Sequence, residues 1–428
     1  MNDQTNTPEG STVAEFSSFR GRGSLADVVK ELERQAEKAC DFVADTRDME
    51  WVVGEKGDLR LKPKNDNLRD YLPQEGIPLL DQALSQVAGK APIAAWTTDD
   101  KKKNRNAGIP IRFFRAALKQ HPGRTLDFLN GTMWDEGKRR LVRCLDDKVR
   151  AFLSDQYRDI PTLSVAKHAL KVIQGLDGKV IEASVTDSHI RIKVVATDIW
   201  DRIEATRTGG DSSEWYAGGL GSQEMLSRVA AKSHDDLRPL KEKMEDQGGD
   251  QTVWPSATIL NSPTGHGGLE FRGGFLKGIC FNLATVEQIM RAVHLGSRLD
   301  TGIYQRDTVE AEAEAIFLKL RDNLTSWFTQ EKFTEVCDKM RASTEKKIEK
   351  PSAAVKLLVE GDLIQDSELG DVLAHFIKDE HQTVHGLGQA VSRFAQDVDA
   401  DRAEELEELA GALCLGKENK VLAEAITV

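Results

Sequence analysis

The chain lacks any apolar run approaching the ~18 to 20 residues that a membrane-spanning helix needs, so no membrane partner is expected. Cysteine is scarce. The five that occur (Cys40, Cys144, Cys280, Cys337 and Cys414) are odd in number, widely spaced and form no CxxC pair. That pattern argues against a disulfide framework or a structural zinc site and predicts reduced thiols, mostly core filler. Aromatic residues make up only 6%, too few for extensive base stacking. Residues 1 to 18 have neither a basic start nor an apolar stretch, so no secretory signal is read and a cytoplasmic location is expected.

Catalytic signatures are missing as well. Gly218-Gly219-Leu220-Gly221 and Gly265-His266-Gly267-Gly268 lack the GxxxxGK[ST] spacing of a phosphate loop and read as turns. There is no GxSxG elbow, and no Cys/His pair or paired-carboxylate site assembles from the spacing. His381-Gln382-Thr383-Val384-His385 places two imidazoles one helical turn apart, with His375 nearby. A zinc protease needs Glu at the second position of that motif as general base, and Gln382 stands there. The reading leans away from an enzyme, with no cofactor and no metal.

What is present is length and segregated charge. A chain of 428 residues allows two or three domains. Net charge is 58 − 70 = −12, yet residues 101 to 158 carry fifteen Lys or Arg against six Asp or Glu, and residues 397 to 428 carry three against nine. A basic middle and an acidic tail differ from the even mixture of signs on an ordinary soluble surface.

Periodicity divides the chain into a mobile start (1–23), a small helical and irregular region (24–78), an α+β core (79–300) and a helical C-terminal region with an acidic tail (301–428). Leu25, Val28, Val29, Leu32 and Ala36 recur at helical spacing after Ser24, a candidate cap. A second helix opens at Pro110 with Phe113, Phe114, Ala117 and Leu118 as its apolar stripe, following the basic loop Lys101-Lys102-Lys103-Asn104-Arg105. Two antiparallel hairpins follow. One turns at Asp146-Asp147-Lys148 and the other at Thr186-Asp187-Ser188. In the second, Ile181, Ala183, Val185, Ile190, Ile192 and Val194 alternate strictly with Glu182, Ser184, His189, Arg191 and Lys193. Its polar face is either plain solvated surface or a place to hold phosphate. The predicted fold is α+β, with antiparallel hairpins packed against helices and followed by a helical C-terminal region.

The candidate nucleic-acid-binding residues are Lys138, Arg139, Arg140, Arg143, Arg150 and Arg158 around the first hairpin, and Arg191 and Lys193 on the second. Cations on strands of one sheet can track a sugar-phosphate backbone through counterion release. Val309, Ala313, Ile316, Phe317, Leu320, Leu324, Trp327 and Phe328 form a long apolar stripe, either internal core or the seam of a homo-oligomer.

Several strings resemble a known family. Leu141-Val142-Arg143 through Ser154-Asp155-Gln156-Tyr157-Arg158, Asn261-Ser262 with Gly265, Cys280 with Asn282, His294-Leu295-Gly296 and Gly386-Leu387-Gly388-Gln389-Ala390-Val391-Ser392-Arg393-Phe394 are similar to signatures of the phage/plasmid-like proteins catalogued as a domain of unknown function, family nine-thirty-two. Gln156 and Leu283 depart from that pattern, where a basic residue and glycine are usual. The resemblance covers roughly residues 79 to 415 and implies a gene of phages or other mobile elements. In outline such a protein is similar to single-strand annealing recombinases, an analogy of fold alone. The expected function is therefore non-enzymatic binding and annealing of single-stranded DNA in recombination or replication, by a homo-oligomer. The alternative is an interaction or anti-defence protein that binds a host protein.

Overall fold

The computed structural model describes residues 21–23, 25–90, 110–157, 160–176, 178–185, 189–203, 238–247, 251–265, 267–277, 282–292, 306–378, 382–398 and 400–416. A short strand β1 (Gly21–Gly23) leads into α1 (Leu25–Lys38), then β2 (Cys40–Asp45), β3 (Met49–Val53), β4 (Leu59–Pro63) and β5 (Ile77–Pro78). Helices α2 (Asp81–Lys90), α3 (Ile111–Gln120) and α4 (Pro122–Glu136) precede the hairpin β6 (Arg139–Leu145) and β7 (Lys148–Ser154). After α5 (Thr162–Gly175) come β8 (Gly178–Val185), β9 (Ile190–Ala196), β10 (Asp201–Arg202), α6 (Arg238–Gln247), β11 (Thr252–Asn261), β12 (Leu269–Lys277) and β13 (Asn282–Ala292). The C-terminal region is helical: α7 (Arg306–Trp327), α8 (Gln330–Thr344), α9 (Pro351–Glu360), α10 (Leu369–Lys378), α11 (Val384–Phe394) and α12 (Ala400–Cys414). The fold class is α+β. No helix among the described residues is long and apolar enough to cross a membrane.

The strands form three sheets. The largest runs β1-β8-β9-β11-β12-β13 with β10 against β11, and the smaller ones run β2-β6-β7 and β3-β4-β5. The first hairpin turns through Asp146 and Asp147, both at positive φ (50° and 55°). Consecutive left-handed residues give the turn twist that matches paired strands, and Asp tolerates that conformation. The second hairpin pairs as the alternation requires, with Ala183 opposite Ile192 and Ser184 opposite Arg191. Its turn, 186–188, lies outside the described residues.

One residue departs from the alternation. A register shift between Val180 and Glu182 leaves Ile181 as an extra residue, and a bulge of that kind rotates a side chain to the opposite face. Ile181 therefore packs with Val195, Trp254 and Leu276 and with Leu240 and Met244 of α6, rather than with Ala183 and Val185.

Two main apolar clusters hold the molecule, and they divide the chain differently from the expected segments. One joins Phe42, Trp51, Leu61 and Leu72 to Phe114, Leu129, Val142 and Phe152, so the region 24–78 shares a core with α2 to β7. The other joins Val28 of α1, the large sheet and the helices from α7 to α12. The boundaries expected near 78 and 300 cut through these cores. Residues 21–23, expected to be part of a mobile start, pair with β8. The stripe on α7 is internal: Phe317, Leu320, Leu324, Trp327 and Phe328 are buried in the second cluster. Trp327 seats against Gly273, where a Cβ would stand 2.5 Å from its ring, and donates from Nε1 to the Ser256 carbonyl at 2.8 Å. The stripe thus supplies no ground for a homo-oligomer.

Candidate functional site

The eight sequence-selected cations fall into three groups. Lys138 and Arg139 are exposed at the start of β6, with Arg139 opposite Asp45 of β2. Asp45 is engaged by Arg47, whose hydrogen bonds hold its carboxyl down at about 2. Arg158 lies outside the described residues, as does the basic loop 101–105. The other five (Arg140, Arg143, Arg150, Arg191 and Lys193) are buried, which overturns their expected place on a solvent-facing phosphate track.

Around the first hairpin the buried arginines build structure. Arg143 donates from Nε to Asp41 at 2.8 Å, directly across the β2–β6 ladder, and from Nη1 to the Pro263 carbonyl at 2.8 Å. The latter bond ties the small sheet to the turn after β11. Tyr157 donates to the Ser262 carbonyl at 2.9 Å, and Asn261 donates to the Ile160 carbonyl at 3.0 Å. Gln86 of α2 completes the joint, accepting from the Phe152 amide and donating to the Thr264 carbonyl. Gly265 sits at φ +79°, and a Cβ there would stand 2.7 Å from Leu153. The strings 141–143, 154–157 and 261–265, scattered in sequence, therefore meet in one joint between two sheets. Arg140 lies near this layer with its guanidinium 6.0 Å from the Phe152 ring centre.

On the second hairpin the polar face is covered by α12. Glu404, Glu407 and Glu408 lie three and four residues apart and so project together, while Ala403, Leu406, Ala410 and Leu413 are buried. Arg191 donates to Glu404 at 2.7 Å through Nε and 2.5 Å through Nη2, with its side chain 3% exposed. Lys193 meets Glu407 at 2.7 Å and its cross-strand neighbour Glu182 at 3.3 Å. Two strands away, beyond β11, Arg272 of β12 binds Glu270 and Glu404, each at 2.6 Å, and also Glu408. Burial works against the Arg272 charge, but Glu404, Glu408 and Glu270 outweigh it and hold its pKa above the ordinary value. Three carboxylates sharing one guanidinium cannot all gain, and Glu408 is the loser. Burial, with repulsion from Glu404 and Glu270, pushes its pKa up despite Arg272.

Beside this network a cleft of about 550 Å³ opens between β12, β13 and α12, lined by His189, Glu270, Arg272, Arg291, Glu404 and Glu408 among others. Its carboxylates and cations are already engaged with one another: Glu270 also meets Arg291 at 3.3 Å. A face so compensated gives little net attraction for phosphate.

The histidine motif has a structural role. His385 is 1% exposed, its Nε2 stands 3.1 Å from the Lys277 ammonium and its Nδ1 3.5 Å from Ser343 Oγ. An imidazole nitrogen facing an ammonium accepts its proton and is not presented to a metal. His381 lies outside the described residues. Among the described residues no cluster of three or more His, Cys, Asp or Glu is arranged to hold a metal ion.

Sequence reasoning passed over a different cationic surface. Residues 110–124, spanning α3 and the start of α4, contain Arg112, Arg115, Lys119 and Arg124 and no carboxylate, and all four cations are exposed. Phe114 and Leu118 face the core, but Phe113, expected in the apolar stripe, is 60% exposed with the Arg112 guanidinium 5.5 Å from its ring centre. Phe128 of α4 is 43% exposed. Arg115 pairs with Asp81 at 2.7 Å, both side chains well exposed, a contact of little energy in water. The signal available in sequence was the spacing: cations at 112, 115 and 119 recur at helical period opposite the buried positions 114 and 118. Comparison with family models, with curated proteins and with solved structures finds no match for this chain.

Proposed function

We propose that the protein is a non-enzymatic, ATP-independent single-stranded DNA binding and annealing protein of a phage or mobile element, acting in recombination or replication. The observation that carries this reading is the exposed surface of α3 and the start of α4, where residues 110–124 place four cations and an exposed Phe113 with no carboxylate of their own. It differs from the surface that charge patterning favoured, since the polar face of the β8–β9 hairpin is neutralised within the molecule. Cations on one helical face neutralise successive phosphates and release counterions. An aromatic ring beside them offers a base a stacking partner in a single strand, whereas bases in a duplex are already stacked. Annealing needs no covalent chemistry: holding phosphates and leaving base edges free raises the local concentration of complementary strands.

The test is a fluorescence-anisotropy titration with single- and double-stranded oligonucleotides at two salt concentrations, followed by a strand-annealing assay. Four phosphate contacts predict a log–log salt slope of about −2 to −3 for the single strand, weaker binding of duplex, and faster pairing of complementary strands. Absence of binding at low salt, or binding indifferent to salt, overturns the reading.

A further inference from the structure

Cys40 and Cys144 stand directly opposite one another in the antiparallel β2–β6 ladder. Both are free thiols, Cys40 exposed at the first residue of its strand and Cys144 buried. Directly opposed residues of antiparallel strands point to the same face, with Cα atoms ~4.5 to 5.5 Å apart. That range falls within the ~4.4 to 6.8 Å spanned by disulfides. The other described cysteines, Cys337 and Cys414, lie in the second apolar cluster, apart from this ladder.

We propose that Cys40 and Cys144 are a reversible thiol–disulfide site, oxidised by low-molecular-weight disulfides of the glutathione class. Exposure assigns the order of events. The Cys40 thiolate attacks the small disulfide, forms a mixed disulfide and releases one small thiolate. Cys144 then gives up its proton to solvent, and its sulfur attacks the Cys40 sulfur and expels the second small thiolate. Two protein thiols are oxidised to one disulfide and one small disulfide is reduced to two thiols, so electrons balance. Burial, together with the neighbouring Cys40 and Asp41, pushes the Cys144 thiol up to about 12, which makes Cys40 the entry point and the second step the slow one. Neither the acidity nor the exposure of Cys144 gives an outside reagent a competing first contact.

The closed bond would link residues 40 and 144 around β3, β4 and helices α2 to α4, and hence around the first apolar cluster. Constraining so long a loop raises the melting temperature of that part of the molecule.

The experiment incubates the full-length protein with oxidised glutathione, quenches with acid, and counts thiols after denaturation. The expected titre falls from the five cysteines of the sequence by two, with an intact mass lower by two hydrogens and a non-reducing peptide map joining Cys40 to Cys144. Dithiothreitol restores all the thiols. Cys40→Ser, a change at an exposed position, should lose the bridge and keep its native melting temperature. An adduct that stops as a glutathione mixed disulfide on Cys40, a bridge to any other cysteine, or an unchanged titre would each overturn the proposal.

Discussion

Two sets of cations in this molecule look alike in sequence and differ in fate. Arg191 and Lys193 alternate with apolar residues on a strand, and Arg112, Arg115 and Lys119 recur on a helix. The first pair is 2–3% exposed and neutralised by Glu404 and Glu407, whereas the helical set is exposed. The partners that decide this lie 213 and 214 residues further along the chain. A polar strand face therefore has no assigned role until the element that covers it is known.

The sharpest break in this comparison is Glu407→Ala. It takes the 2.7 Å carboxylate away from the buried Lys193 ammonium and leaves Glu182 beside it at 3.3 Å, and removal of one partner of a buried pair costs about 3–5 kcal/mol. Urea unfolding measures it. Replacing both partners, Lys193→Met with Glu407→Leu, should recover most of that loss, because well-packed apolar groups substitute for buried pairs at little cost. A wild-type midpoint for Glu407→Ala would return the hairpin face to ordinary surface.

Gly411→Ala probes the same cover from its apolar side. An added Cβ would stand 1.7 Å from the Thr285 carbonyl oxygen, so α12 must move off β13. Overpacking of this kind costs about 1–3 kcal/mol, read as a lowered melting temperature. An unchanged melting temperature would show that α12 does not sit tightly on β13.

For the exposed set, the triple variant Arg112→Glu, Arg115→Glu, Lys119→Glu should bind single-stranded DNA more than tenfold more weakly at low salt, with a shallower salt slope. Its stability should change by no more than about 0.5 kcal/mol per site. Anisotropy and thermal melting separate the two effects. Equal affinity in the variant would remove α3 from the binding surface.

An effect confined to alkaline pH concerns two buried thiols, Cys144 in the first core and Cys414 in the second. Burial, the largest influence, pushes both Cys144 and Cys414 up from 9.0 to about 12. A group whose folded pKa is raised contributes stability in full below its unfolded value and loses it as pH rises toward the folded one. Unfolding free energy should therefore decline from about pH 9 to about pH 12, beyond what Cys144→Ala shows over the same range.

The fold was legible wherever its causes are local. The Asp146-Asp147 turn, the β8–β9 pairing and the helix carrying Leu25, Val28 and Leu32 follow from turn chemistry and periodicity over a dozen residues. Three features escaped that reading. Ile181 changes face through a one-residue bulge, which leaves no mark in a regular alternation. Phe113 belongs by type to the apolar stripe of α3, yet Phe114 takes the inward position beside it. The arginines of the first hairpin serve long-range joints, as when Arg143 reaches Pro263, 120 residues away. Glu404 and Glu407 carried a usable signal, flanking the buried positions Ala403 and Leu406 rather than lying opposite them. Carboxylates beside an apolar stripe reach under the helix edge, where solvent alone cannot satisfy them.

The distance along the chain between Lys193 and Glu407, 214 residues, also sets a timetable during protein synthesis. At ribosomal speeds of ~5 to 20 residues per second, the carboxylate emerges roughly 10 to 40 s after the cation it neutralises. Through that interval the newborn β8–β9 hairpin presents Arg191 and Lys193 without the helix that covers them. In that state the hairpin face holds two cations beside Glu182, open to water and to chaperones, and it becomes a neutral, closed layer only when α12 arrives.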